Sequence, residues 1–202
     1  MIALTNIADF TPAAGFMLLI SLISVNSVLL EKNGIKVSTS ETNKPGIIKW
    51  FYPVFTIFFL LFLIEITRPL FGFSVLPKVY TNFFFDSVFI RLTGVLTVFL
   101  SVFVLKTTLQ HFSTSLRFGL NKNNMGKLIT TGIFARSRNP FFMSLLLYFC
   151  GTTLIFPNLF FLIFAILAFT GIHFSILKEE KFLQKVYGEE YLSYQQKVRR
   201  YF

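Results

Sequence analysis

Long apolar stretches alternate along the chain with short polar segments that hold nearly all of the charge. Phe10–Leu30 contains no charged residue. A second stretch, Ile47–Ile64, has Lys49 and Trp50 at its start and Pro53 in its first turns. A third covers Ser87–Leu105, with Arg91 near enough to the end for its side chain to snorkel out to a polar surface. From Asn139 to Leu177 there is no charge for 39 residues. A helix crossing about 30 Å of hydrocarbon needs about 20 apolar residues, so this stretch is too long for one crossing and suits two. Phe156-Pro157-Asn158 is its turn-forming cluster, which predicts a hairpin of Pro140–Ile155 and Leu159–Leu177. The predicted fold class is all-α: an integral membrane bundle of five transmembrane helices, with a cytoplasmic cofactor loop and C-terminal amphipathic helices. Three helices fall in residues 1–105, and the loop, hairpin and tail in 106–202.

Composition agrees with that pattern. Of 202 residues, 54% are hydrophobic and 14% charged, and 29 are Phe. Soluble domains carry about 25% charged residues, so a soluble two-domain enzyme and a disordered chain are excluded. The lone Cys150 lies in an apolar run and forms no intrachain disulfide, and His111 and His173 are the only histidines. No metal is expected from so few ligands.

The net charge of +10 raises the question of nucleic acid. A nucleic-acid binder gathers its cations on a solvated face beside a polar body, which this chain lacks. The cations instead alternate with the spans. None precedes the first span, and Lys32, Lys36, Lys44 and Lys49 follow it. Between the second and third are Arg68 and Lys78, opposed by Glu65 and Asp86. Lys106, Arg117, Lys122, Lys127, Arg136 and Arg138 follow the third with no acid among them. The hairpin turn has none, and the tail has Lys178, Lys181, Lys185, Lys197, Arg199 and Arg200. Positive segments stay in the cytoplasm, so the N-terminus is expected outside and the C-terminus inside.

Two cytoplasmic segments are candidates for chemistry. Lys106–Asn139 is long for a connection and mixes glycines, hydroxyls and spaced apolar residues, as an ordered cofactor loop would. The tail Lys178–Phe202 has apolar or aromatic residues at 183, 187, 191, 194 and 198, one helical face, with Gly188 splitting it into two short helices. Such a tail also suits a plain resting place on the membrane surface. Arg138-Asn139-Pro140 has the composition of a capped helix start, and a helix N-terminus also attracts anions. Glu179 and Glu180 follow the last span. The hairpin returns both of its ends to one surface, so Arg138 and Asn139 should neighbour this acid pair. A helix start beside two carboxylates suits a ligand carrying both charges.

TTGIFARSRNPFF, followed after the hairpin by KEEKFLQKVYGEEYLSYQQKVRRYF, resembles the isoprenylcysteine carboxyl methyltransferase and phospholipid methyltransferase superfamily. These are integral-membrane enzymes that use S-adenosylmethionine. The resemblance covers about Gly119–Phe202. It implies that Gly126, Lys127, Leu128 and Ile129 pass along the adenosine and that Phe134 lies against the adenine. Asn139, Pro140, Phe141 and Phe142, with Arg138, would meet the methionine part, and Glu179 with Glu180 would close the site. Glu179 and Arg138 are the residues it places nearest the chemistry. It further implies a lipid-like or small hydrophobic methyl acceptor, membrane lipids around the bundle, and a bacterial-type member in an inner membrane.

The departures narrow this expectation. Asn139 stands where eukaryotic-type members have His, and an amide neither donates nor accepts a proton as an acid or base. Phe142 replaces Tyr, and Ser144 stands where Gly is common. Ser175 occupies the position of an Arg expected to hold a prenylcysteine carboxylate. Two other readings follow from the same residues: a membrane scaffold that keeps the fold without turnover, and a nicotinamide-dependent enzyme like the sterol reductases. The latter have a similar C-terminal half but about twice the spans.

Overall fold

The computed structural model describes residues 2–32, 46–112 and 127–201. Its helices are α1 (Ile2–Lys32), α2 (Gly46–Phe71), α3 (Lys78–Thr81), α4 (Val88–Phe112), α5 (Pro140–Ile155), α6 (Leu159–Tyr187) and α7 (Glu189–Lys197). A 3-10 turn spans Gly132–Ala135. Among the described residues, four helical stretches are long and apolar enough to cross a membrane: Ile7–Lys32, Pro53–Phe71, Val88–His111 and Leu159–Tyr187. α5 is apolar too, but its 16 residues make a rod of only about 24 Å.

The hairpin Pro140–Ile155 and Leu159 onward forms as the sequence predicts. Its turn is fixed by Asn158, whose Oδ1 accepts from the Phe161 amide at 3.0 Å and so caps α6. Other boundaries differ. α4 runs on to Phe112, so the first residues of the expected cofactor loop are helix. α6 does not stop at Leu177 but continues unbroken to Tyr187. Glu179 and Glu180 therefore lie within a helix and do not open a separate one. Gly188 then breaks the chain at φ +54, and α7 follows, as Gly188 foretells.

Lipid supplies little hydrophobic force between helices, so close packing and small residues decide which helices meet. α4 and α5 form the most extensive pair. A Cβ on Gly94 would sit 2.7 Å from the Gly151 carbonyl oxygen, and one on Gly151 would sit 2.9 Å from that of Gly94. The two backbones approach this closely because neither residue has a side chain. Two turns along each antiparallel helix come Ser101 and Ser144, both fully buried. Their hydroxyls bond back to the Val98 and Phe141 carbonyls at 2.7 and 2.6 Å, which satisfies them without water.

α2, α5 and α6 pack through aromatic rings. Phe62 stacks on Phe164 with centroids 4.3 Å apart, and Phe149 and Phe161 present their edges to Phe62 at 5.6 and 5.7 Å. Such pairs add to the area they bury. Tyr148 joins α5 to α1 by donating to the Pro12 carbonyl at 2.8 Å. The outer surface stays apolar: Phe89 is 84% exposed and Leu96 69%. An apolar outside over a packed inside is the pattern of helices surrounded by lipid.

Candidate functional site at the α5–α6 mouth

The segment before α5 folds against the tail. Gly132 turns at φ +63, and a Cβ there would fall on the His111 ring at the end of α4, so glycine is required at this corner. Phe134 is buried in the turn, and its carbonyl accepts from the Tyr194 hydroxyl of α7 at 2.6 Å. Burial pushes the Tyr194 hydroxyl up to about 12 and raises that of Tyr191 further, so both remain neutral donors at ordinary pH.

Beyond the turn, three consecutive residues reach the C-terminal end. The Arg138 amide donates to the Arg199 carbonyl at 3.0 Å. The Ser137 hydroxyl and the Asn139 side-chain amide donate to the Arg200 carbonyl at 3.4 and 3.1 Å. The Arg138 guanidinium gives two further bonds, to the Gln195 and Val198 carbonyls at 2.9 and 3.0 Å.

Glu180 is the centre of this arrangement. Its Oε1 accepts from Arg138 at 2.9 and 3.2 Å and from the Asn139 amide at 3.2 Å. Its Oε2 accepts from Arg200 at 2.9 and 3.1 Å. That carboxylate in turn raises the pKa of Arg200. Counting up the hairpin from its turn, Pro140 lies level with α6 about four to six residues before Glu180, roughly 6–9 Å short. The extended Ser137–Asn139 segment and the long Arg138 side chain cover that gap.

The expected neighbourhood of Arg138, Asn139 and Glu180 is thus present, although each residue is used differently from expectation. Asn139 precedes α5, but its side chain makes no cap and turns to Glu180 instead. Arg138 spends its donors on Glu180 and the tail. The tail's inner face does not rest on a membrane surface: Tyr191 and Tyr194 are buried against the protein. Glu179 stands apart. It is half-buried, and among the described residues no hydrogen bond or ion pair engages its carboxylate.

Pro140 is buried, and Phe141 and Phe142 are half-buried, their rings meeting edge to face at 5.8 Å. Lys127 is exposed, and Leu128 and Ile129 are half-buried. Gly126 lies outside the described residues. The Ser175 hydroxyl bonds back to the Gly171 carbonyl at 2.9 Å. Sequence reasoning overlooked Ser137, Tyr194 and Arg200 as site residues. Their partners are mostly backbone carbonyls, which leave no mark in a motif.

A stretch that begins just before α4 and ends in α7, residues 87–190, matches the phospholipid methyltransferase family over just over half of the chain. The chain belongs to the phospholipid methyltransferase family. No protein with a curated description matches it. The family is one of membrane methyltransferases, and the four long apolar helices make this member a membrane protein. The matched stretch includes the Gly94–Gly151 contact, the Gly132 turn and both halves of the hairpin. Arg200, the second cation on Glu180, lies beyond it.

Proposed function

We propose that the chain transfers a methyl group from S-adenosylmethionine to a lipid-like or small hydrophobic acceptor at the cytoplasmic face of the membrane. The observation that carries this is the division of labour in the acid pair. Glu180 has its oxygens taken by Arg138, Asn139 and Arg200, whereas Glu179 has no described partner. An unneutralised, half-buried carboxylate is costly unless it meets a cation. The ammonium or ribose hydroxyls of the cofactor meet that need.

The other residues fit the rest of that ligand. The N-terminus of α5, the positive end of its dipole, is a suitable seat for a carboxylate. Lys127 adds positive charge nearby in sequence, and Phe134, Phe141 and Phe142 supply apolar walls. When bound, S-adenosylmethionine supplies a methyl group activated on a sulfonium. The protein's share is to align the two reactants and to exclude water, both of which speed an in-line displacement. Asn139 fixes Glu180 through its side-chain amide and takes no part in proton transfer. Arg138 is a positioning residue that holds the tail over the site.

In this reading α5 is a fifth crossing. Its 16 helical residues fall short of the hydrocarbon thickness, and the extended residues at each end make up the difference. With the alternation of Lys and Arg, the N-terminus lies outside and the mouth between α5 and α6 opens to the cytoplasm. Residues 106–202 then carry the cofactor site and residues 1–105 the lipid-embedded support.

Binding of labelled S-adenosylmethionine to the purified chain tests the reading. Glu179→Gln is expected to weaken binding at least about tenfold, the loss of about 1.4 kcal/mol or more. Cys150→Ala, an exposed thiol away from the mouth, is expected to bind as the wild type does. Unchanged binding by Glu179→Gln would refute the assignment.

A further inference from the structure

At the other end of the bundle the protein encloses a second polar site. Asn158 caps α6 there, 22 residues before Glu180, or about 33 Å along the helix. A cavity of about 230 Å³ lies beside it, lined by Asp9, Glu65, Arg68, Phe83, Arg91 and Asn158 among others. One water needs only roughly 10–15 Å³, so the space suits a much larger polar group. Charged residues inside a membrane bundle are costly and generally serve a ligand or a pathway.

The charges fall into two sets. Arg91, expected to snorkel outward, is instead 6% exposed and forms an ion pair with Asp9 of α1. Asp86 stands 3.7 Å from it, and the Phe83 ring lies 5.8 Å from its guanidinium carbon. Arg91 is thus shared between two acids, and these three side chains form a wall. The second set is open. Glu65 is 3% exposed and accepts one bond, from the Ser74 hydroxyl at 2.7 Å. Arg68, three residues on and on the same helical face, forms no hydrogen bond or salt bridge among the described residues. An acid and a base that could neutralise each other line one cavity without pairing.

The mouth is also built. The Phe84 amide donates to the Pro157 carbonyl at 2.8 Å, and the Asn158 amide reaches the Thr81 carbonyl at 3.4 Å. These bonds pin residues 81–84 to the hairpin turn.

We propose that this cavity binds a zwitterionic phosphate ester, its ammonium at Glu65 and its phosphate at Arg68. The ligand's two charges complete the two that the protein leaves apart. The source is either the headgroup of a membrane lipid or a soluble ester of the same chemistry. The site is independent of methyl transfer, because it lies at the opposite end of the bundle.

The full chain, reconstituted with equal phosphatidylethanolamine and phosphatidylglycerol and then released into detergent, provides the test by native mass spectrometry of retained lipid. Free O-phosphoethanolamine is titrated in parallel. Wild type is expected to retain the zwitterionic lipid about tenfold over the anionic one. Binding of the free ester without lipid retention would assign the same charges to a soluble ligand. Arg68→Gln is expected to remove the retained ligand. Glu65→Gln is expected to abolish the preference between the two lipids, a change that loss of folding does not mimic. Lys185→Gln, exposed at the other end, controls for general attraction and should alter nothing. Equal retention of both lipids by wild type with no binding of the free ester, or undiminished retention by Arg68→Gln, would overturn the proposal.

Discussion

Arg138 and Glu180 are separated by 42 residues and meet at 2.9 Å, with side chains 9% and 5% exposed. The contact ties the start of α5 to the far end of α6, and through Arg200 and the Arg138 donors it ties the tail to both. Removing one partner of a buried pair leaves the other charge without compensation, which costs about 3–5 kcal/mol. Glu180→Ala is therefore expected to free the tail. Limited proteolysis should cut the Glu180→Ala chain between residues 188 and 202 at protease levels the wild type resists. Arg200 is 35% exposed, so Arg200→Gln should cost about 1 kcal/mol or less.

The α4–α5 contact sets a second expectation. A Cβ on Gly151 would approach the Gly94 oxygen at 2.9 Å and the Val98 amide nitrogen at 3.0 Å, backbone atoms that move only if a helix moves. Gly151→Ala is expected to destabilise the bundle by about 1–3 kcal/mol through overpacking. Unfolding monitored in detergent should report the loss. Wild-type stability in this variant would mean that the helices do not touch there.

Tyr194 gives a pH-dependent expectation. Its hydroxyl donates to the Phe134 carbonyl, and burial lifts its pKa from 10.0 to about 12. Because the folded-state pKa lies above the unfolded one, its stabilising contribution is complete below pH 10. It is then lost as pH rises through about 12. Tyr194→Phe should cost about 0.5–1.5 kcal/mol at neutral pH. The difference from wild type should stay constant to about pH 10 and shrink above it, as followed by chemical denaturation.

Gly132 allows one more expectation. Its positive φ and its place against His111 both exclude a side chain. Gly132→Ala should displace the 3-10 turn and with it Phe134 and the Tyr194 bond. Cofactor binding is expected to fall while the far hairpin turn stays intact. Tryptic and thermal profiles like wild type, together with unchanged binding, would show that the turn tolerates a side chain.

Much of this architecture was legible in the residues, and what was missed has physical causes. The hairpin is plain because Phe156-Pro157-Asn158 interrupts an uncharged stretch too long for one helix. Gly188 is plain because no other residue there turns the chain so cheaply. Apolarity alone puts helix ends at Leu105 and Leu177, short of Phe112 and Tyr187, since it marks where lipid ends and not where helical hydrogen bonding ends. The proximity of Arg138 and Glu180 follows from hairpin geometry. The separate roles of Glu179 and Glu180 do not, because adjacent residues point about 100° apart on a helix and only three dimensions show which one finds partners. The burial of Arg91 is hidden for a related reason. Its partner Asp9 is 82 residues away, and nothing local announces an inward turn.

Methyl transfer at the mouth between α5 and α6 has a direct readout. Membranes containing the chain, incubated with methyl-labelled S-adenosylmethionine and extracted with organic solvent, test it most directly. Label is expected in an extractable product with wild type and at background with Glu179→Gln, provided both chains are present in equal amount. Equal label from the two, or none from wild type, would rule out methyl transfer dependent on Glu179.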